Sequence, residues 1–232
     1  MEVRINKYLS QIGFCSRRSA DKLIEEGRVT INGNVTEMGA KVMPGDDIRV
    51  DGNKVGQQEN ESVYIAFHKP IGIVCTTNRA VEPDNIIDYI NHPQRIFPIG
   101  RLDKMSEGLI LLTNDGEIVN KILRARNNHD KEYIVTVNKP ITDDFIRAMS
   151  DGVPILGTVT RKCKVEQISE KTFRIILTQG LNRQIRRMSE HLGYRVRKLK
   201  RIRIINIQLD LPVGKWRNLT EEELCELHKL VS

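Results

Sequence analysis

The sequence predicts an α+β protein in two parts, a small basic module ahead of a larger domain. Three observations lead there. Strand and helix patterns interleave irregularly along the chain, which points to a mixed sheet. A polar stretch without periodicity, Gly56-Gln57-Gln58-Glu59-Asn60-Glu61-Ser62, reads as a linker. The 232 residues are enough for one small and one medium domain. The expected boundaries are 1–55 for the first domain, 56–62 for the linker and 63–232 for the second domain.

Composition narrows the function classes. Charged residues are 29% and hydrophobic residues 39%, a globular rather than a disordered balance. No apolar run reaches the length of a membrane span, so no membrane partner is expected. Met1-Glu2-Val3-Arg4-Ile5-Asn6-Lys7 lacks the apolar core of a signal peptide. A cytoplasmic location is expected. Cys15, Cys75, Cys163 and Cys225 lie far apart without a Cys-x-x-Cys pair and read as reduced thiols. The five histidines form no His-Glu-x-x-His pattern, so no metal site is expected. Neither a Gly-x-x-x-x-Gly-Lys-Ser/Thr loop nor a Gly-x-Gly-x-x-Gly string occurs, and no nucleotide cofactor is indicated. The net charge of +7, with a pI near 9.3, asks for an anionic partner, and nucleic acid is the usual one.

In the first module Ile5, Leu9 and Ile12 make a helical stripe ended by Gly13. Ser16 is placed to cap a second helix with Ala20, Leu23 and Ile24 on its apolar face, and Gly27 ends it. Val29-Thr30-Ile31, Asn32-Gly33 and Asn34-Val35-Thr36 read as a hairpin. Pro44-Gly45-Asp46-Asp47 turns the chain into Ile48-Arg49-Val50. Arg4, Lys7, Arg17, Arg18 and Lys22 are candidate RNA contacts. Arg17 and Arg18 open a helix, where cations oppose its dipole; a bound phosphate would relieve that conflict.

In the second domain Val63 to His68 reads as a strand, followed by the turn Lys69-Pro70-Ile71-Gly72. A short helix is expected after Asn85. The stretch from Gly100 to Gly116 then sets Arg101 and Asp103 on a loop before the apolar run Leu109 to Leu112, a buried strand closed by Asn114-Asp115-Gly116. Ile118, Val119, Ile122 and Leu123 form a helical stripe, and Arg124 to Lys131 a charged loop. Lys131 to Val137 alternates as a strand with Tyr133, Val135 and Val137 on one face. Thr142 caps a helix ended by Gly152. Val153 to Thr160, Lys164 to Ile168, Phe173 to Thr178 and Arg203 to Leu209 read as strands. A helix starting at Gly180-Leu181-Asn182 carries Ile185, Met188 and Leu192. Thr220 and Glu223 form a capping box for the last helix.

Between Asn182 and Arg203 stand nine basic residues against Glu190 alone. So dense a block repels itself without a polyanion. Arg183, Arg187, Arg197, Lys198, Lys200 and Arg201 are therefore candidate RNA contacts.

Taken singly, Asp103 reads as an ordinary loop aspartate and Tyr133 as a half-buried strand tyrosine. The strings around them say more. Gly-Arg-Leu-Asp-x-x-Ser-x-Gly-Leu-x-x-Leu-Thr-Asn-Asp-Gly from Gly100, Lys-x-Tyr-x-Val from Lys131, Gly180-Leu181-Asn182-Arg183-Gln184-Ile185-Arg186-Arg187-Met188 and Lys69-Pro70-Ile71-Gly72 resemble the RsuA-like family of ribosomal RNA pseudouridine synthases. Leu9 through Asn32-Gly33 resembles the S4 RNA-binding domain. The resemblance implies a mixed, mainly antiparallel sheet with a central cleft, preceded by an S4 domain. It implies that Asp103 is catalytic and Tyr133 lies at the active site, stacked on the base. Arg186 would pair with Asp103, Leu199 would lie against the uracil, Arg101 would fill the space of the flipped base, and Lys69 would join the substrate contacts. Some family members carry a basic C-terminal tail; this chain stops after its last expected helix.

The implied reaction turns a uridine into pseudouridine, with large-subunit 23S rRNA as the expected substrate and tRNA left open. It consumes nothing and requires no cofactor, and a monomer is expected. Asp103 would act at C1′ or on the 2′ hydrogen. Two other classes share features with this chain. A non-catalytic S4-type translation or ribosome-assembly factor would show the same charge, but would not require Asp103 and Tyr133 on apolar frameworks. A metal-dependent nuclease would want clustered carboxylates, and only Glu107 and Asp115 stand near Asp103.

Overall fold

A computed structural model describes residues 2–56, 61–77, 82–123 and 128–232. The expected linker falls partly on 57–60 and the expected charged loop partly on 124–127, which lie outside the described residues. The chain divides into two compact units: Met1–Ser62 with Pro93–Arg95 and Asn114–Gly116, and the remainder from Val63 onward.

The first unit builds its core from short elements. Helices Ile5–Gln11 and Arg17–Glu25 bury Ile5, Leu9, Ala20 and Ile24 against Val29, Ile48 and Val50. The Ser16 hydroxyl accepts from Ser19 N at 3.0 Å, a cap worth about 1 kcal/mol. Strand Val29–Ile31 turns back to Asn34–Val35 through Asn32 and Gly33, at φ 51° and 82°. Two successive positive φ angles make the type I′ turn that suits the twist of a hairpin. Ile48–Val50 and Asn53–Lys54 complete a four-stranded sheet. A further pair joins Val3–Arg4 to Lys41–Val42, strands too short to show in the pattern.

The second unit is organised on a nine-stranded sheet. Its main path runs Lys164–Ser169, Thr172–Leu177, Lys131–Val137, Val196–Ile204, Glu107–Thr113, Tyr64–Lys69 and Trp216–Asn218. Phe97–Ile99 and Ile207–Gln208 pair beside this path. Every pairing is antiparallel except that of Val196–Ile204 with Glu107–Thr113, so the sheet is mixed and mainly antiparallel. Helices cover both faces. Phe145, Met149, Ile185 and Met188 pack on the face that holds Ile65, Phe67, Ile110 and Leu112. Ile118, Ile122 and Leu227 pack on the face that holds Tyr64, Ala66, Leu109 and Leu111. Strands Tyr64–Lys69 and Glu107–Thr113 are thus buried on both sides, which is why the run Leu109 to Leu112 is apolar without alternating. Each large side chain so buried contributes roughly 1.5–3 kcal/mol.

Three expectations are corrected. Val153 to Thr160 is not one strand: Pro154–Ile155 and Thr158–Val159 form a hairpin that turns at Leu156 and Gly157, both at positive φ. The expected strand Arg203 to Leu209 is likewise a turn. Its left-handed Ile205 joins the nine-residue strand Val196–Ile204 to Ile207–Gln208. The helix expected from Gly180 begins only at Gln184, because Arg183 takes a left-handed conformation (φ 50°). Among the described residues no helix is long and apolar enough to cross a membrane.

Candidate active site

The loop between Phe97–Ile99 and Glu107–Thr113 carries Arg101, Asp103 and Ser106. It is fastened from several sides. Ser106 N donates to Asp103 O at 3.0 Å, Gly72 N donates to Lys104 O at 2.8 Å, and Leu102 N donates to Cys75 Sγ at 3.4 Å. Beneath it Lys69 is fully buried, its ammonium donating to Pro70 O at 2.8 Å and Ser106 O at 2.9 Å. Burial pulls the Lys69 ammonium below the usual lysine range, with the nearby Cys75 and Asp103 opposing. This corrects the reading of Lys69 as a substrate contact. It does not line the cleft, and its carbonyl partners make it a strut for the Asp103 loop.

Asp103 opens on a cleft of about 750 Å³ that Arg101, Tyr133, Arg186, Leu199 and Arg201 also line. Arg186 comes from helix Gln184–His191 and is 9% exposed. Its Nη2 donates to Met105 O at 2.9 Å and to Ser106 Oγ at 3.1 Å. Its Nε lies 3.6 Å from Asp103 Oδ2, an ion pair longer than a hydrogen bond. Burial pulls the Arg186 guanidinium below its ordinary range, and Asp103 opposes that pull. One face of the sheet supplies the opposite wall. Tyr133 stands directly across from Arg201, and Val135 across from Leu199, on paired strands. The Arg201 guanidinium carbon lies 5.9 Å from the Tyr133 ring centroid.

The strands meet this closely because of Gly108. At φ 122° it occupies backbone space closed to most side chains, and a Cβ there would stand 2.3 Å from Arg201 O. Only a glycine lets the loop-bearing strand pair with Val196–Ile204 at this position.

The remaining cations divide by exposure. Arg4, Arg17, Arg18 and Lys22 are exposed on the first unit, while Lys7 is half-buried. On the second unit Arg183, Arg197 and Lys198 are exposed. Arg183 and Arg197 line a groove of about 770 Å³ with Arg195 and Glu190. Arg187 folds back onto Asn182 O at 3.1 Å, and Lys200 pairs with Glu107 at 3.2 Å. Arg201, expected on the RNA-facing surface, is instead buried with its Nε donating to Leu109 O at 2.7 Å. Alternation along a strand explains the correction: Leu199 and Arg201 are two residues apart and share the inner face.

Ser106 and Lys131 escaped the residue-by-residue reading. Ser106 stood in the motif as one of its fixed letters. Lys131 lines the cleft, and its ammonium donates to His129 O at 3.1 Å. Burial and the nearby Arg201 push Lys131 down to about 8 against the pull of Asp130.

The family model for RNA pseudouridylate synthase matches residues 63–191. The chain belongs to that family. The S4 domain model matches residues 3–48, so this RNA pseudouridylate synthase carries an N-terminal S4 domain, as members of the RsuA family do. A dual-specificity RNA pseudouridine synthase RluF from Escherichia coli K12 is 59% identical over 231 residues, covering 99% of this chain and 79% of the relative. The ribosomal large subunit pseudouridine synthase B of Bacillus subtilis is 39% identical, covering 98% of this chain and 96% of the relative. A crystal structure of a pseudouridylate synthase superposes with a TM-score of 0.71 at 28% identity, covering 98% of this chain and 99% of that one. The chain is therefore an RNA pseudouridine synthase, an isomerase acting on RNA.

Proposed function

We propose that the protein isomerises a specific uridine of 23S ribosomal RNA, with Asp103 as the catalytic residue. The observation that carries the reading is the convergence of Asp103, Arg186, Tyr133 and Leu199 on one cleft. A carboxylate in such a site reaches the sugar only if the nucleotide leaves its stack. The flipped uracil lies between the Tyr133 ring and Leu199, while Arg101 at the mouth takes the place of the base. Asp103 then breaks the N1 glycosidic bond, by adding to C1′ or by taking the 2′ hydrogen. The base turns and rejoins through C5. Arg186 holds Asp103 beside the sugar through its ion pair and its bond to Met105 O. The reaction is redox-neutral and consumes nothing, so it requires no cofactor.

The exposed arginines and lysines of both units hold the RNA through phosphates, which position it without reading sequence. The enzyme works as a cytoplasmic monomer. The large-subunit assignment draws support from the name of the Bacillus relative, and the "dual-specificity" name of the Escherichia coli relative supports a second RNA substrate, for which tRNA is the candidate class. Pseudouridine mapping of rRNA and tRNA from cells with and without the protein tests the assignment. Loss of one 23S site is expected. An unchanged 23S map rejects the substrate, and wild-type tritium release by Asp103→Asn rejects the catalytic residue.

A further inference from the structure

Among the cations that line the cleft, Arg201 is the most buried, 3% exposed against 9% for Arg186. A buried guanidinium needs an anion or several acceptors to offset its lost hydration. Arg186 has Asp103, Met105 and Ser106. Arg201 spends one of its five N–H donors on Leu109 O, and its Nη2 has no partner among the described residues. As a purely structural residue Arg201 is therefore a poor choice. Nor is it free to reach an RNA phosphate outside. Its Nε is tied to buried backbone, and its strand is paired on both sides, to Tyr133 and to Gly108. Its head lines the cleft beside Tyr133, 5.9 Å from the ring centroid.

We propose that Arg201 donates a hydrogen bond to a carbonyl oxygen of the flipped uracil and stabilises the base while it is detached from the sugar. The inference rests on the reading of Asp103 and Tyr133 above. When the N1–C1′ bond breaks, its electron pair stays on N1. C1′ either bonds to a carboxylate oxygen of Asp103, or forms a double bond to C2′ after Asp103 takes the C2′ proton. Either way the base is an anion whose charge spreads over O2, O4 and C5. The base then turns about the line through N3 and C6. C5 forms the new bond to C1′, and Asp103 departs or returns its proton to C2′. C5 loses its own proton and N1 gains one, so atoms and electrons balance.

That half-turn exchanges the positions of O2 and O4. A donor fixed in the wall meets a carbonyl oxygen before the turn and again after it. A guanidinium held rigidly by backbone meets this requirement better than a mobile side chain.

A thio-substitution cycle tests the proposal. Substrate RNAs carry uridine, 2-thiouridine or 4-thiouridine at the target position, and single-turnover rates are measured with the wild type and with Arg201→Met. Sulfur is a weak acceptor, so each thio substrate is expected to react about tenfold more slowly with the wild type. Arg201→Met is expected to lower the uridine rate about 100-fold, as loss of a donor to developing charge does, and to remove both thio penalties. Thio penalties of equal size in both enzymes overturn the proposal, as do thio substrates that match uridine in the wild type. Should Arg201→Met fail to fold, the wild type carries the test with Arg201→Lys beside it: the lysine keeps a donor and is expected to keep thio penalties, and their absence in the wild type overturns the proposal. Asp103→Asn separates the two readings. If that variant stays active, the catalytic assignment fails; if it is inert while the thio cycle is additive, only the role of Arg201 fails.

Discussion

The two units treat positive charge in opposite ways. In the first, Arg4, Arg17, Arg18 and Lys22 are exposed, and among its described residues no charged one is buried. In the second, Lys69, Arg186 and Arg201 are all buried. The difference matches two kinds of work. Holding an RNA backbone takes solvated cations that exchange counterions for phosphates, and these cost the fold little. Acting on a sugar and a base takes cations stripped of water, where electrostatic effects are far larger than in water. Such cations tax the fold and need dedicated acceptors, which the loop 104–106 and Leu109 supply.

Substitutions sharpen that contrast, the largest effects falling in the cleft. Asp103→Asn should lower single-turnover isomerisation by roughly 10⁴-fold or more while RNA affinity, measured by filter binding, changes little. Arg186→Met should cost about 10² to 10³ in the same rate, and Arg186→Lys less, because a lysine cannot reproduce the planar fork. Gly108→Ala should act on stability first. The clash with Arg201 O and the unfavourable φ should cost about 3 kcal/mol and lower the melting temperature of the second unit by roughly 6–12 °C. Outside the cleft the effects shrink. Replacing Arg4, Arg17 and Arg18 by alanine should make the slope of log affinity against log salt shallower by about 2 to 3, with turnover at saturating RNA falling much less than affinity. An unchanged slope would break the comparison, since the first unit would then not touch phosphates.

The smallest effect concerns pH. Lys131 titrates at about 8, below its ordinary range, so it is charged at neutral pH and loses that charge as the pH rises through 8. RNA affinity should therefore weaken a few-fold between pH 7 and 9, and Lys131→Met should flatten that part of the profile. A profile identical in both proteins would remove Lys131 from the binding surface.

Much of this arrangement was legible in the sequence where signals were local. Ser16, Thr142 and Thr220 cap the helices they precede, and Asn32-Gly33 turns its hairpin. The run Leu109 to Leu112 lies within a buried strand, and the motif strings drew attention to Asp103, Tyr133 and Arg186, which share a cleft. What escaped depends on partners distant in the chain. Lys69 is expected among the substrate contacts, and its strut role does not show locally because its acceptor Ser106 O lies 37 residues away. Arg201 stands among many basic residues, and only the partners of its strand, Lys131–Val137 and Glu107–Thr113, decide which of them turn inward. Arg183 and Ile205 are left-handed without a glycine, so nothing local marks the turns they make, and at Leu156 the only local mark is the neighbouring Gly157.

The one parallel pairing in the large sheet has a mechanical consequence. Val196–Ile204 and Glu107–Thr113 share only two paired positions, Lys200 with Glu107 and Arg201 with Gly108. Everywhere else on the central path the ladders are longer: six paired positions join Tyr64–Lys69 to Glu107–Thr113, and seven join Lys131–Val137 to Val196–Ile204. The sheet is therefore two stiff leaves stitched along a short seam. Side chains reinforce those few rungs: Arg201 Nε donates to Leu109 O and Lys200 pairs with Glu107 across the same seam. Tyr133 and Arg201 ride on one leaf, while the other leads directly into the loop of Asp103. The few bonds at the seam therefore fix the gap between the wall of Tyr133 and Arg201 and the carboxylate of Asp103, as the jaws of a caliper are fixed by one short joint.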